Sequence, residues 1–330
     1  MLELLALLIG FYVAWNIGSN DSAKAIGTSV RSHAISYRNA LLLMSVFAIA
    51  GTVLAGSGVS GTMKRVVTDS SAGWAPAASI ALLCAGLWVT LATIYGFPVS
   101  TTQSIIGAFA GAGLAMRFAG ENAYINTNLF GGIVLAWLLC PFLSGFAAYI
   151  SYRIIAIFLH RVRDMIRLKH IFSDLALISA VFTAFMIGSN DGGNLVGAVV
   201  SITGGQFGSL ALVMVGVGIA VGALTFSRNV IECVGCKIVT MSPIIAFTAQ
   251  FGASLVIFAF NILFPFFRIP ALPVSSTQAI VGGIIGAGLA RGSRSLNTRT
   301  ISGMVISWIL TPVMSFVMAL AASYLVLGMI

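Results

Sequence analysis

The sequence predicts an all-α integral membrane protein built from two inverted-topology repeats. Its composition, its apolar segments and its internal repeats all support this fold class. Of the 330 residues, 59% are hydrophobic and only 8% are charged, whereas a soluble globular chain carries about 25% charged residues. Such a composition cannot cover a water-facing surface, and the mean hydropathy of +1.05 agrees. It therefore excludes cytosolic enzymes, nucleic-acid-binding proteins and disordered chains.

Apolar segments that are long enough to cross a bilayer recur along the whole chain. A spanning helix needs about 20 mostly apolar residues, and about ten segments qualify, half of them on each side of a basic stretch at 160–170. We therefore expect an N-terminal membrane repeat (1–159), a basic cytoplasmic connector (160–170) and a C-terminal repeat (171–330). The ten segments lie near residues 1–17, 40–60, 74–96, 98–116, 129–152, 171–188, 208–226, 243–264, 273–290 and 301–328.

The distribution of basic residues predicts the orientation of the chain. If all ten segments cross the membrane and the amino terminus lies outside, the cytoplasmic loops hold twelve Lys and Arg residues and the external loops hold four. Cytoplasmic loops carry the excess of basic residues in membrane proteins. Both termini are therefore expected outside, in a multi-pass protein of the plasma membrane, most simply a prokaryotic inner membrane.

Two different motifs recur in the same order in the two halves. Ile-Gly-Ser-Asn-Asp at 17–21 returns letter for letter at 187–191, and we call these the acidic motifs. Pro-Val-Ser-Thr-Thr-Gln at 98–103 returns as Pro-Val-Ser-Ser-Thr-Gln at 273–278, and we call these the hydroxyl motifs. The two offsets, 170 and 175 residues, indicate a duplication. Five spans per repeat is an odd number, so the second half enters the membrane upside down. Inverted repeats with broken or re-entrant helices at the centre are typical of secondary transporters.

The acidic motifs predict a cation site. An aspartate inside a membrane segment costs on the order of 2.5–3.5 kcal/mol at a helix centre, and the Gly-Ser-Asn before it disfavours regular helix, which predicts a loop. Carboxylate, amide and hydroxyl oxygens at adjacent positions suit Na⁺, whereas a carboxylate that takes up a proton would couple to H⁺. The alternative is a pair of solvated loops that only connect helices. The predicted cation ligands are Asp21 and Asp191, with Asn20, Asn190, Ser19 and Ser189.

The hydroxyl motifs predict an anion site. Proline suits the first turn of a helix, and serine or threonine caps the helix start. A helix start presents free N–H groups and a partial positive charge, which favours anions. Two such starts from opposite halves are expected to meet around a tetrahedral oxyanion, unless they are ordinary caps of two membrane helices. The predicted substrate-binding residues are Ser100, Thr101, Thr102, Gln103, Ser275, Ser276, Thr277 and Gln278, with Asn20 and Asn190.

Together these motifs resemble the inorganic phosphate transporter (PiT) family, which contains phosphate permeases, sodium–phosphate symporters and a sulfate-permease branch. The resemblance covers essentially the whole chain. It implies a homodimeric symporter of inorganic phosphate with Na⁺ or H⁺, in which substrate and cation lie between the acidic motifs and the hydroxyl helix starts. It implies no cofactor beyond the coupling ion.

Two departures from the family pattern affect the coupling ion and the substrate. The hydroxyl motif of the family usually ends in histidine, but here it ends in Gln103 and Gln278, and Ser276 stands where threonine is usual. The loss of both histidines removes groups that titrate near neutral pH, which favours Na⁺ over H⁺. The short connector between the halves resembles compact prokaryotic members, including sulfate-type ones.

Phosphate is the favoured substrate because of its proton. Hydrogen phosphate can donate a hydrogen bond to a carboxylate, whereas sulfate can only accept, so Asp21 and Asp191 would repel sulfate unless cations intervene. A sulfate permease of the same fold is the alternative, and an anion channel is a more distant one. The sequence lacks the H-E-x-x-H, G-x-S-x-G and P-loop patterns of common enzymes, so we do not expect an enzyme.

Two further expectations concern charged residues outside these motifs. Lys24 stands where the second half has Asn194, and we expect its ammonium to reach the membrane interface while its stem crosses apolar surface. Arg228 and Glu232 are four residues apart and are expected to pair on a helix face.

Overall fold

The computed structural model is helical almost throughout and describes residues 2–32, 34–68, 73–121, 123–159, 164–205, 207–227, 238–292 and 296–327. Two short strands, β1 (Val67–Thr68) and β2 (Tyr124–Ile125), pair antiparallel. The helices of these ranges are α1 (Leu2–Arg31), α2 (Tyr37–Ala55), α3 (Ser57–Met63), α4 (Trp74–Ile94), α5 (Thr101–Phe118), α6 (Thr127–Leu159), α7 (Met165–Ile187), α8 (Gly193–Ile202), α9 (Gly208–Phe226), α10 (Pro243–Phe258), α11 (Phe264–Phe266), α12 (Ser276–Arg291) and α13 (Thr298–Leu327). Two π-helical turns, Gly188–Gly192 and Ala259–Leu263, connect α7 to α8 and α10 to α11.

A helix runs through each of the ten apolar segments, which confirms the all-α membrane fold. Within the described residues, eight helical stretches are long and apolar enough to cross a membrane. The other two segments contain α5 and α12, which have 18 and 16 residues. Each follows an extended segment that ends at Ser100 or Ser275. The helical structure is therefore interrupted within both hydroxyl motifs, just before α5 and α12 begin.

The acidic motifs lie in helices, so the prediction that they form loops is wrong. Residues 18–21 continue α1 without a break, and residues 188–191 belong to the π-helical turn between α7 and α8. Glycine, serine and asparagine weaken helices in water because water or short polar side chains compete for the backbone. Inside a membrane protein water does not compete, so the helical hydrogen bonds are kept. The second motif differs only by its wider π turn, a feature that often marks functional sites.

Helices of the two halves are interleaved in matching pairs. Helix α1 packs on α9 and α7 packs on α2, while α5 packs on α13 and α12 packs on α6. Each of these contacts has a counterpart in the other half, as expected for halves that are related by a twofold axis. The inverted orientation and the boundaries 1–159, 160–170 and 171–330 stay predictions.

Several sequence-based expectations fall on parts of the chain that the structure does not describe. Residues 160–163 of the predicted connector lie outside the described residues, and Asp164 caps α7 by accepting a hydrogen bond from the Arg167 backbone N–H at 2.9 Å. Arg228 and Glu232 also lie outside them.

Glycines allow the interleaved helices to approach backbone to backbone. Gly18 lies against a backbone carbonyl of α9, and Gly188 lies against one of α2. Gly222 and Gly51 make the reciprocal contacts with α1 and α7. A Cβ atom at any of these positions would overlap with the opposing carbonyl oxygen. Small residues permit such close crossings in membrane proteins, and here the crossings hold both acidic motifs against the opposite half.

We expect Gly51→Ala and Gly222→Ala each to destabilise the protein. The added methyl group overlaps with the backbone of α7 or α1, and overpacking of this kind costs about 1–3 kcal/mol. The matched control is Gly303→Ala in α13, where an added Cβ meets no atom within 4 Å. The measurement is the melting temperature of purified protein in detergent, followed by size-exclusion chromatography. Equal melting temperatures for all three variants would contradict the backbone contacts.

Candidate anion and cation site

The acidic and hydroxyl motifs meet in one buried cluster. The Thr101 hydroxyl donates a hydrogen bond to Asp21 Oδ2 at 2.7 Å, and the Thr102 hydroxyl donates to Asp191 Oδ1 at 2.6 Å. Thr101 also lies 3.5 Å from Asp191 Oδ1. All four side chains are at most 2% exposed. The first turn of α5 therefore bridges the acidic motifs of both halves.

The hydroxyl motifs start two helices that point their amino-terminal ends into the interior. The Ser100 hydroxyl accepts a hydrogen bond from the Gln103 backbone N–H at 3.3 Å, and Ser275 accepts one from Gln278 at 3.2 Å. These serines have extended backbone, as capping residues do. The remaining N–H groups of a first turn have no partner within their own helix. The partial positive charge of each helix start thus lies in the protein interior, where it favours an anion.

Asn20 and Asn190 hold the extended segments that precede these two helices. The Asn20 amide donates to Thr93 Oγ1 at 2.8 Å and to the Phe97 carbonyl at 3.2 Å. The Asn190 amide donates to the Val274 carbonyl at 2.6 Å, and its oxygen accepts from the Val274 N–H at 3.0 Å. Both predicted site residues therefore lie at the cluster, where they position the backbone before α5 and α12.

Ser19 and Ser189 do not reach the carboxylates, in contrast to their predicted role as cation ligands. Ser19 donates to the Asn16 carbonyl at 3.0 Å within α1, and Ser189 donates to the Ala55 carbonyl at 3.0 Å at the end of α2. A residue two positions before an aspartate points away from it on a helix. Because the motifs are helical rather than looped, their serines face neighbouring backbone instead of the cluster.

Lys24 lies in the centre of the cluster, so the expectation that it reaches the membrane interface is wrong. Its side chain is fully buried and forms an ion pair with Asp21. It also donates to the Val99 carbonyl and to Thr277 Oγ1, each at 2.6 Å. Thr277 in turn donates to the Val99 carbonyl at 2.9 Å. The other basic side chains that the structure describes are exposed.

The sequence did contain a signal for this ion pair. Asp21 and Lys24 are three residues apart, a spacing that brings two side chains together on a helix. We did not predict the ion pair because we expected a loop at 18–21, and residues three positions apart lie side by side only on a helix.

Five buried amide side chains in or beside the motifs have atoms without a hydrogen-bond partner. They are the side-chain oxygens of Asn20, Gln103, Asn261 and Gln278, and both amide atoms of Asn194. Asn194 is fully buried and lies one turn after Asp191, as Lys24 lies one turn after Asp21. Buried polar groups in proteins nearly always have a partner. The arrangement therefore leaves polar atoms for a bound ion or anion to engage.

The formal charges of the cluster do not balance. Asp21 and Asp191 contribute two negative charges, and Lys24 contributes one positive charge that is paired with Asp21. Hydrogen bonds to Asp191 come from Thr102, from Thr101 at 3.5 Å and from the Asn190 amide at 3.1 Å, all of which are neutral donors. One negative charge therefore remains, and it is centred on Asp191.

Known proteins match this chain along nearly its full length. A protein of Methanocaldococcus jannaschii, described as a candidate phosphate permease, is 31% identical over 316 residues, with 95% of this chain and 94% of the relative covered. A protein of Chlamydia pneumoniae with the same description is 29% identical over 413 aligned positions, with 94% and 95% covered.

A solved structure has the same fold. It is described as the sodium-dependent phosphate transporter and superposes with a TM-score of 0.88 at 25% sequence identity. The superposition covers 100% of this chain and 99% of the other.

The family model that describes phosphate transporters matches residues 17–319, a range that begins at the first residue of the first acidic motif and extends almost to the end of α13. All four motifs lie within that range. The buried cluster and the multi-pass helical fold are thus found where the family model matches. The chain belongs to the phosphate transporter family.

Proposed function

We propose that this protein imports inorganic phosphate by symport with Na⁺. The observation that carries the proposal is the meeting of two buried carboxylates with two capped helix starts in one cluster. One set of groups suits a cation and the other suits an oxyanion. The likeness to a solved protein described as sodium-dependent and phosphate-transporting supports both parts.

The charge of the cluster favours phosphate over sulfate. Hydrogen phosphate carries a proton that it can donate to a carboxylate oxygen, and it accepts hydrogen bonds from hydroxyl and N–H groups with its other oxygens. Sulfate has no proton to donate, so the charge at Asp191 repels it more strongly. A sulfate permease with this fold is the second candidate, and the short connector between the halves is the observation that favours it.

A cation from solution would neutralise the negative charge of Asp191 in the second half of the cluster. Asp191 is 1% exposed and has no cationic partner among the described residues, and a single buried charge is costly inside a membrane protein. Carboxylate and amide oxygens are ligands that hard cations prefer, and Asp191 and Asn194 supply both. A proton on Asp191 would serve the same purpose, so H⁺ is the alternative coupling ion.

The membrane potential makes co-transport necessary. Moving a divalent anion inward against an inside-negative potential of 100 mV costs about 2.3 kcal/mol per charge, so about 4.6 kcal/mol in all. Cations that travel with the anion cancel this cost, and their gradient drives accumulation.

The assembly and location of the protein also belong to the proposal. We infer a homodimer in the plasma membrane, most simply a prokaryotic inner membrane, with both termini outside. The exposed apolar side chains of α6 and α13 supply surface for lipid or a second copy, and the distribution of basic residues supports the orientation.

Uptake by proteoliposomes under separate Na⁺ and H⁺ gradients tests the substrate and the coupling ion. We expect labelled phosphate to accumulate under an inward Na⁺ gradient, with little labelled sulfate taken up under either gradient. Sulfate uptake without phosphate uptake would contradict the assignment of phosphate as the substrate. Phosphate accumulation under an H⁺ gradient alone would contradict the assignment of Na⁺ as the coupling ion. Equilibration of phosphate without accumulation would indicate a channel.

Asp191→Asn is expected to reduce Na⁺-driven phosphate uptake to the background of empty liposomes. The substitution keeps the side-chain shape but removes the negative charge that the cation neutralises. Asp174→Asn is the matched control, because Asp174 is an exposed carboxylate on α7. Initial uptake rates are compared at equal amounts of reconstituted protein. If the Asp191→Asn variant takes up phosphate at the wild-type rate, the Asp191 carboxylate is not needed for transport.

Thr102→Val is expected to raise the Na⁺ concentration for half-maximal uptake about tenfold, because a lost hydrogen bond to a charged group costs about 1.5–3 kcal/mol. Thr102 donates directly to Asp191 Oδ1. Thr102→Ser keeps the hydroxyl and should restore the wild-type value. If valine and serine variants behave alike, the hydroxyl does not act on the cation site.

A further inference from the structure

We propose that the Lys24 ammonium takes the place of one mobile cation, so that the protein couples phosphate to one Na⁺ fewer than its two similar halves would otherwise allow. The inference rests on the proposed Na⁺ symport. It assigns different tasks to the two halves: the first carries a cation that is part of the chain, and the second binds one from solution.

The hydrogen bonds of Lys24 are those of a cation in an oxygen cage. An ammonium group has three donors and no acceptor. Here its contacts are Asp21 Oδ1, the Val99 carbonyl and Thr277 Oγ1, so three protein oxygens engage all three donors. No donor is left for a substrate oxyanion. Lys24 therefore resembles a bound cation more than an anion-binding residue.

Both oxygens of the Asp21 carboxylate already accept a hydrogen bond. Lys24 engages Oδ1, and the Thr101 hydroxyl donates to Oδ2 at 2.7 Å. The ion pair also neutralises the charge that would attract Na⁺. The charge of Asp21 is thus neutralised without an ion from solution.

The second half has the same parts but lacks the ammonium. By the offsets of the repeated motifs, Asp191 is the counterpart of Asp21, and Asn194 is the counterpart of Lys24. Both amide atoms of Asn194 are fully buried and have no hydrogen-bond partner. Among the residues that the structure describes, Asp191 has no cationic side chain beside it other than the one already paired with Asp21. The unpartnered amide of Asn194 and the unbalanced charge of Asp191 therefore lie at the two positions where the first half has the Lys24–Asp21 ion pair.

The difference between the halves decides the charge that moves in each transport cycle. A Na⁺ ion crosses the membrane with the substrate, but Lys24 stays with the protein. If Lys24 substitutes for Na⁺, its removal should add one positive charge to each inward cycle. If Lys24 only stabilises the fold, its removal should leave the number of coupled ions unchanged.

Lys24→Asn tests this inference because it gives the first half the residue that the second half carries. We expect purified Lys24→Asn protein to bind one more ²²Na⁺ per chain than wild type in the presence of phosphate. In proteoliposomes, the Na⁺ gradient that balances a fixed phosphate gradient should show one more Na⁺ coupled per phosphate. An inside-negative potential should then stimulate uptake by the variant more than uptake by wild type.

Two further variants make the test independent of the stability of Lys24→Asn. Asn194→Lys should lose one bound Na⁺ relative to wild type, because the new ammonium can pair with Asp191. The double variant Lys24→Asn, Asn194→Lys should regain the wild-type number. Lys64→Asn is the matched control, since it makes the same substitution at an exposed lysine and should leave Na⁺ binding unchanged.

The outcomes separate this inference from the proposed function. If wild-type protein neither binds ²²Na⁺ nor responds to a Na⁺ gradient, the proposed symport fails, and the inference fails with it. If wild type is Na⁺-dependent but Lys24→Asn binds the same number of Na⁺ ions, only the inference is overturned. Should Lys24→Asn fail to fold, an unchanged count in Asn194→Lys overturns it instead.

Discussion

The buried ion pair between Asp21 and Lys24 is the interaction on which the interior of this protein depends. A charge inside a membrane protein must be neutralised by the protein or by a bound ion. This pair does more than cancel charge, because the same ammonium holds the Val99 carbonyl before α5 and the Thr277 hydroxyl at the start of α12. Removing either partner would leave the other buried and unpaired, which is strongly destabilising. Three elements from both halves are therefore fixed by one side chain.

Much of the fold and part of the site could be predicted from the sequence, because their signals are local. The length and hydropathy of the apolar segments depend on the bilayer and not on neighbouring helices, and a helix runs through each of them. The hydroxyl motifs could be located because proline and serine act within one turn of a helix start, and Ser100 and Ser275 do cap those helices. Because both motifs recur in the same order in the two halves, we could predict that they contribute to one site.

The remaining features could not be predicted because they depend on the environment that the fold creates. Propensities measured in water predict a break at Gly-Ser-Asn, but in the interior the helix of residues 18–21 is retained. Because of that error, Ser19 and Ser189 were predicted to be cation ligands, and Lys24 was not predicted to pair with Asp21. The contacts of Asn20 and Asn190 with the segments before α5 and α12 join residues more than 70 positions apart. No local pattern predicts such contacts.

The spacing of Asp21 and Lys24 within one helical turn also bears on how the chain enters the membrane during synthesis. Helix α1 is made before the helices of the other three motifs, and its aspartate has a counter-ion on the same helix. Asp191 has no such neighbour and depends on Thr102 from a helix made earlier. Helix α5, in turn, packs on α13, which is synthesised after all four motifs. Helix α1 can thus enter the bilayer with its aspartate already neutralised, whereas the native packing of α5 must wait until α13 has been inserted.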